Sequence, residues 1–291
     1  MRIALFYRVW FDSGEELLEA GKKLGIELVP ICYQDLIMRQ AGKDFEVVYQ
    51  NKSLSTFDLF YFRAVGTAVE WVSLLILYAQ KRKIPFVDDY LGVWGPDRRA
   101  KSIAGVILDQ KGISYPRTSL VTDKESLLAE VENFGFPFIL KVSTGGRQGR
   151  GTLLIEDQMT LERAVKGRIE KSSYLLQEYI PNNGDFRLFL LGYQILGAFK
   201  RQEKEEKLLL TRSVGESTVL KTVPLKIKNL AERAAQALKV EIASIDLVID
   251  EKTGKPVIIE VNEAPQWRVF ARRTEINVAE EIVKYLASKA D

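Results

Sequence analysis

At 291 residues the chain is long enough for two or three domains with well-formed cores, and its 46% hydrophobic and 28% charged residues suit a globular fold rather than a disordered or fibrous one. It has no histidine and one cysteine, Cys32, which excludes Ser-His-Asp hydrolysis, most zinc sites and an internal disulfide. A formal net charge of +3 is too mild over this length to argue for a nucleic-acid partner.

The longest apolar runs, such as Val72 to Ala79, fall far short of a membrane span. The N-terminal MRIALFYRVW enters a strand-like run at once, without the length or cleavage site of a signal peptide. The expectation is a cytoplasmic protein with no membrane partner. Without imidazole, the chemistry left belongs to carboxylates, lysines, arginines, backbone amides and magnesium-like ions.

Strands and helices alternate over the first 88 residues. Residues 2–9 read as a strand, and Asp12 or Ser13 as the N-cap of a helix with Glu15 and Glu16 in its first turn. Leu17, Leu18 and Leu24 supply its apolar side. Further strands are expected at 26–31, 45–49 and 57–63, and a helix over 67–82 leads into 85–88. This succession predicts a small, largely parallel α/β domain, residues 1–94. Arg8 and Arg63, at strand ends, are candidate ligand contacts, with solvated arginines the competing reading. Residues 89–96 (DYLGVWGP) read as a linker.

A second unit is expected over 95–176. It opens with a helix from Asp97 to Lys111, closed by Gly112. A strand begins at Pro116-Arg117-Thr118, Asp123 caps a helix running to about Asn133, and 137–142 is a strand carrying Lys141. Residues 143–151 (STGGRQGRG) then place four glycines and two arginines between two apolar strands. Glycines allow tight turns and aim N–H groups at phosphate oxygens, and arginines add charge. A hairpin tip explains the same composition without a ligand.

The third unit, 177–291, follows a strand at 174–180 (YLLQEYI). Strands begin at Asp185 and Tyr193, 202–207 (QEKEEK) is a solvated turn, 211–217 a polar loop, and a helix spans about 226–239. The most informative stretch is 243–265 (ASIDLVIDEKTGKPVIIEVNEAP), a β-hairpin turning at Glu251-Lys252-Thr253-Gly254. Asp246 lies on its first strand, and Glu260 and Asn262 on one face of its second. Two carboxylates and an amide oxygen suit a hard cation that completes its shell with water and phosphate. Three solvated strand-end residues are the alternative. A final amphipathic helix is expected over 277–290.

A helix bearing Lys101, a strand lysine before a glycine-rich loop, Gln-Glu-Tyr-Ile, Asp-x-Arg, an Ala-x-x-Arg strand and an Asp…Glu-x-Asn hairpin follow in order. Together, over residues from about 95 to 283, they resemble the ATP-grasp superfamily, and most its RimK-type carboxylate–amine ligases. The resemblance implies a mixed α/β (α+β) ATP-grasp fold behind a small parallel pre-ATP-grasp domain. It implies that Lys101 and Lys141 hold nucleotide phosphates, that residues 145–151 (with Gly145, Gly146, Gln148 and Gly149) form a lid, and that Gln177, Glu178, Tyr179 and Ile180 flank adenine. Asp185 would grip the ribose hydroxyls, Arg201 would face the transferred phosphate with Lys141 as the other catalytic cation, and Asp246, Glu260 and Asn262 would hold magnesium, manganese being the other ion such a set accepts.

The implied activity is ATP- and magnesium-dependent ligation of a carboxylate to an amine through an acyl phosphate. Small-molecule or peptide substrates, glutamate among them, are the expected partners, and self-association is left open. There are departures. The glycine loop is one residue longer than the commonest form, and the family's Arg-Ser-Asn reads Leu209, Leu210, Thr211, with Arg212 following. The usual Ser-Pro-Gly reads Ala264-Pro265-Gln266. These suit a changed acceptor site or, in the rival reading, a degenerate nucleotide binder without turnover. Arg212, Arg268, Arg272 and Arg273 are candidates for an acidic substrate. Against the last three stands a solvated basic loop with Trp267 and Phe270 packed beneath it.

Overall fold

A computed structural model describes residues 1–96, 101–142, 152–165, 173–203 and 214–290. The N-terminal part contains β1 (Arg2–Tyr7), α1 (Gly14–Leu24), β2 (Glu27–Cys32), β3 (Leu36–Ala41), β4 (Asp44–Tyr49), β5 (Lys52–Ser53), β6 (Leu59–Ala64), α2 (Val69–Arg82), β7 (Phe86–Val87) and α3 (Tyr90–Trp94). Strands β2, β1, β6 and β7 lie in that order, all pairs parallel. Ile3 to Phe6 are fully buried, as expected of a strand covered on both faces.

Two expectations are corrected here. The strand at 45–49 does not join the parallel sheet. It is β4 of a separate antiparallel sheet, β3-β4-β5. Turn chemistry is the reason. Gly42 has φ 61 between β3 and β4, and Gln50 and Asn51 have φ 50 and 61 between β4 and β5, so the chain folds straight back on itself. The presumed linker holds the short helix α3. Ser13 is the N-cap residue of α1, with Glu15 and Glu16 in the first turn as expected, although its side chain makes no cap bond.

The middle part contains α4 (Lys101–Gln110), β8 (Thr118–Val121), α5 (Lys124–Phe134), β9 (Phe138–Val142), β10 (Thr152–Ile155), α6 (Gln158–Val165) and β11 (Tyr174–Glu178). Asp123 caps α5 by accepting from the Ser126 N–H at 2.7 Å. The sheet runs β10-β9-β11-β8, antiparallel throughout. It has its own small core, with Leu127, Phe138, Ile155, Leu161 and Leu176 at its centre.

The C-terminal part contains β12 (Asp185–Leu191), β13 (Gln194–Glu203), β14 (Val214–Val219), α7 (Leu225–Leu238), β15 (Ile242–Ile249), β16 (Pro256–Asn262), α8 (Arg268–Thr274) and α9 (Val278–Ala290). Its sheet runs β14-β13-β12-β15-β16, antiparallel. One face packs Leu188, Leu190, Ala198, Ile245 and Leu247 with residues of α4 and α7. The other packs Phe189 and Phe199 with Trp267, Phe270 and α9, and shares that core with Ile3, Leu5 and Leu17. The second face turns polar at one end. Among the described residues no helix is long and apolar enough to cross a membrane.

Candidate active site

Strand register assembles that polar end. Asp185 stands opposite Arg201, Arg187 opposite Asp246, Asp246 opposite Glu260, and Ser244 opposite Asn262. Side chains alternate along a strand, so all six charged and amide groups share one face. Between Asp246 and Leu247 the pairing shifts by one, from Glu260 to Ile258, leaving Ile259 as the extra residue of a bulge. The Lys141 ammonium lies 3.5 Å from the Ile259 carbonyl.

The charges are held in pairs. Arg187 donates Nε to Oδ1 of Asp246 at 2.7 Å and Nη2 to Oδ2 at 2.6 Å, the two-pronged geometry a planar guanidinium favours. Burial opposes the charge of Arg187, but the Asp246 carboxylate outweighs it and raises the arginine's pKa. Arg201 donates Nε to Asp185 at 3.1 and 3.0 Å and comes within 3.4 Å of Asp246. Lys101, opening α4, pairs with Glu260 at 3.0 Å. Lys141, on β9, donates to the Gln177 side-chain oxygen at 2.5 Å.

Lys101, Arg187 and Arg201 thus face Asp185, Asp246 and Glu260, and Lys141 reaches the hairpin at the Ile259 carbonyl. Lys141, Asp185, Asp246 and Gln177 are each under 10% exposed, so much of this charge sits out of water. Burying charge costs several kcal/mol per ion unless it is compensated. The ion pairs within the face supply that compensation.

A magnesium ion fits the same face. Among the described residues no three His, Cys, Asp or Glu gather to hold a metal alone. Asp246 and Glu260 instead offer two opposed carboxylates, and Asn262 an amide oxygen, with the rest of the shell open to water and phosphate, as magnesium prefers. A carboxylate has about four lone-pair positions, so Asp246 gripped by Arg187 can still take a cation.

On the other side of Lys141, the Gln177 amide donates to the Thr118 hydroxyl at 3.2 Å. Tyr115 lies close to Gln177, and burial pushes its pKa up to about 12. The Glu178 N–H donates to the Arg117 carbonyl at 2.9 Å, and Tyr179 and Ile180 follow half-buried. Gly184, just before Asp185, has φ 116, and a Cβ there would come 2.1 Å from the Arg201 carbonyl oxygen. Only glycine permits that approach of the two strands.

Gly145, Gly146, Gln148 and Gly149 lie outside the described residues, as do Thr211 and Arg212. The segment expected as a loop beyond the hairpin is helix α8, because Trp267 and Phe270, 0% and 2% exposed, anchor it in the core. Its arginines diverge. Arg268 pairs with Glu16 at 2.6 Å, tying the segment to α1. Arg272 is exposed. Arg273 donates to the Ser217 hydroxyl and stacks on Phe199, its carbon 5.0 Å from the ring centre. Ser217 is the cross-strand partner of Arg201, so of the three only Arg273 leans to the charged face. Arg8 is exposed, whereas Arg63 is buried.

Arg187 and Tyr115 received no role from sequence. Arg187 was legible in principle, two residues from Asp185 and therefore on its face. Tyr115 carries no local signal, since only the fold brings residue 115 to Gln177.

The chain is 27% identical over 281 residues to a protein of Trichodesmium erythraeum (strain IMS101) named a probable alpha-L-glutamate ligase, covering 94% of this chain and 91% of that one. Its fold is similar to that of the ATP-grasp ligase PsnB solved with a minimal precursor, magnesium and ADP, with a TM-score of 0.73 at 14% identity over 99% of this chain and 97% of that one. It is likewise similar to a RimK domain ATP-grasp protein of Sphaerobacter thermophilus DSM 20745, with a TM-score of 0.69 at 21% identity over 98% and 99% of the two chains. The model of the RimK-like ATP-grasp domain matches residues 97–286; with the charged sheet face and the lysines above it, the chain belongs to the RimK-like ATP-grasp family.

Proposed function

We propose that this protein uses ATP to join glutamate, or an amino acid like it, to a second substrate. At the coarser level it is an ATP-dependent carboxylate–amine ligase. The observation that carries the reading is the charged sheet face, with Lys101, Arg187 and Arg201 paired to Asp185, Asp246 and Glu260 and Lys141 beside them at the Ile259 carbonyl. ATP phosphorylates a carboxylate, the amine attacks the acyl phosphate, and amide, ADP and phosphate result. Little acid–base chemistry is needed, which suits a chain with no histidine; positioning and charge stabilisation supply the rate.

Lys101 and Lys141 bind phosphate oxygens in this account, and Gln177, Glu178, Tyr179 and Ile180 border the purine. Asp185 spends both oxygens on Arg201, which favours it as the orienter of that arginine while its remaining lone pairs meet the ribose. Arg201 stabilises charge developing on the transferred group. Asp246, Glu260 and Asn262 would hold magnesium, which would supply neutralisation of the phosphate charge. Manganese would satisfy the same oxygen set. The glycine loop, with Gly145, Gly146, Gln148 and Gly149, covers the phosphates.

Glutamate is favoured by the name of the curated relative and, of the α8 arginines, by Arg273 alone. Both small molecules and peptides remain as second substrates. The test is phosphate release from ATP and magnesium with glutamate alone, each carboxylate or amine alone, and pairs. Release that requires a pair, with an amide of matching mass, is expected. ATP binding without release under every pairing would favour the non-catalytic reading.

A further inference from the structure

Arg63 lies at the end of β6, on the C-terminal edge of the parallel sheet, and is 6% exposed. Its Nη2 donates to the Pro265 carbonyl at 2.5 Å, just past the metal hairpin. Its guanidinium carbon stands 4.7 Å from the Trp267 ring centre and 5.5 Å from that of Phe11. The Nε of the same guanidinium is buried and has no hydrogen-bond partner. Ser13, 1% exposed at the end of the loop leaving the adjacent strand β1, has a hydroxyl in the same condition.

Arginines 187 and 201 are each held by an aspartate. Among the described residues Arg63 forms no ion pair, Asp88 acting on it only through the longer-range field. Burial is the main influence on its pKa, and lowers it. A buried cation with an unfilled donor is costly, because a charged group left without its hydrogen bonds loses its hydration uncompensated. Open parallel sheets bind ligands at this carboxyl edge. The two flanking rings bracket the guanidinium, and its Nε is left without an acceptor.

We propose that this edge is an anion subsite in which Arg63 takes the carboxylate of the amino-acid substrate, next to the end of the metal hairpin. Nε and the second Nη2 hydrogen, the first being given to Pro265, offer the kind of side-on pairing that Arg187 uses on Asp246. The Ser13 hydroxyl is a second donor on the same edge. The assignment rests on the ligase reading for the identity of its ligand, and its test is therefore made on binding rather than turnover.

The probes are L-glutamate and its dimethyl ester, titrated calorimetrically into the full chain with ADP and magnesium present. The variants are Arg63→Met and Arg63→Lys. Wild-type protein is expected to bind glutamate at least about tenfold tighter than the ester, and Arg63→Met to lose about tenfold or more for glutamate. ADP affinity should stay within about twofold in both variants. Arg63→Lys keeps the charge without the two-pronged geometry; it should lose about threefold or more, and it decides the matter if Arg63→Met does not fold. Unchanged glutamate affinity, a parallel fall in ADP affinity, or a wild type indifferent to the ester would overturn the subsite. Glutamate binding through Arg63 in a protein that releases no phosphate with any pair would keep the subsite and remove the ligase.

Discussion

Asp246 and Glu260 face each other across β15 and β16 because β16 carries one extra residue, Ile259, between them and the hairpin turn. Were the pairing regular from the turn, with no bulge, the register would set Ile259 opposite Asp246 and Glu260 opposite Ile245. The same bulge turns the Ile259 carbonyl toward Lys141. One irregularity therefore aligns the two carboxylates and offers a backbone carbonyl to Lys141, a use of bulges common beside active sites.

Glu260→Gln keeps the shape of the side chain and removes its charge. Turnover of ATP should fall roughly 100-fold or more, while the circular dichroism spectrum and melting curve remain those of a folded protein. Most of the activity surviving, or an unfolded variant, would count against a metal role.

Lys141→Ala should weaken ATP by about 1.5–3 kcal/mol, the worth of a charge-assisted hydrogen bond, and leave adenosine nearly untouched. Competition binding with the two ligands separates these effects. Equal losses would mean that Lys141 supports the purine side through Gln177 rather than phosphate.

The two arginines of the sheet face should fail differently. Arg201→Ala is expected to spare ATP affinity and slow chemistry, since its partner is charge that develops during transfer. Arg187→Ala frees Asp246 from its two-pronged grip and should raise the magnesium requirement about 10–100-fold, as loss of a ligand's supporting partner does elsewhere. Magnesium titrations at saturating ATP decide; identical profiles for the two variants would remove the distinction.

These roles differ in how far the sequence shows them. The hairpin is legible because its strands alternate around an evident turn, and spacing alone puts Glu260 and Asn262 together. The bulge at Ile259 leaves no such mark, since register is set by pairing on both sides of the strand. The antiparallel β3-β4-β5 sheet is hidden because its turns, at Gly42-Lys43 and Gln50-Asn51, are short and its strands half-exposed. Helix α8 is missed for a related reason. Arginines crowd a segment whose helical face is fixed by only two residues, Trp267 and Phe270. Tyr115 joins the site through tertiary packing, which no local pattern encodes.

Asp88 gives a pH-dependent prediction. It is 4% exposed, accepts from the Glu241 and Ile242 N–H groups at 2.5 and 3.0 Å, and has its pKa raised well above the ordinary carboxylate range by burial and then by Glu241. A raised folded-state pKa means the fold prefers the neutral acid. That contribution is complete below the unfolded value and is lost as pH rises through the folded one. Asp88→Asn keeps the acceptor oxygen and stays neutral, so it should melt roughly 2–4 °C above wild type near about pH 8. The gap should close as pH falls toward about 4. A variant less stable than wild type at the higher pH would contradict the assignment.

The acyl phosphate is the centre of the functional account, and oxygen transfer tests it most directly. With the carboxylate substrate labelled in both oxygens with heavy oxygen, and ATP, magnesium and the amine supplied, phosphate released during amide formation is analysed by mass. The account predicts one heavy oxygen per phosphate, because the bond to the carboxylate carbon breaks when the amine attacks. Phosphate carrying no label, released while amide accumulates, would contradict it.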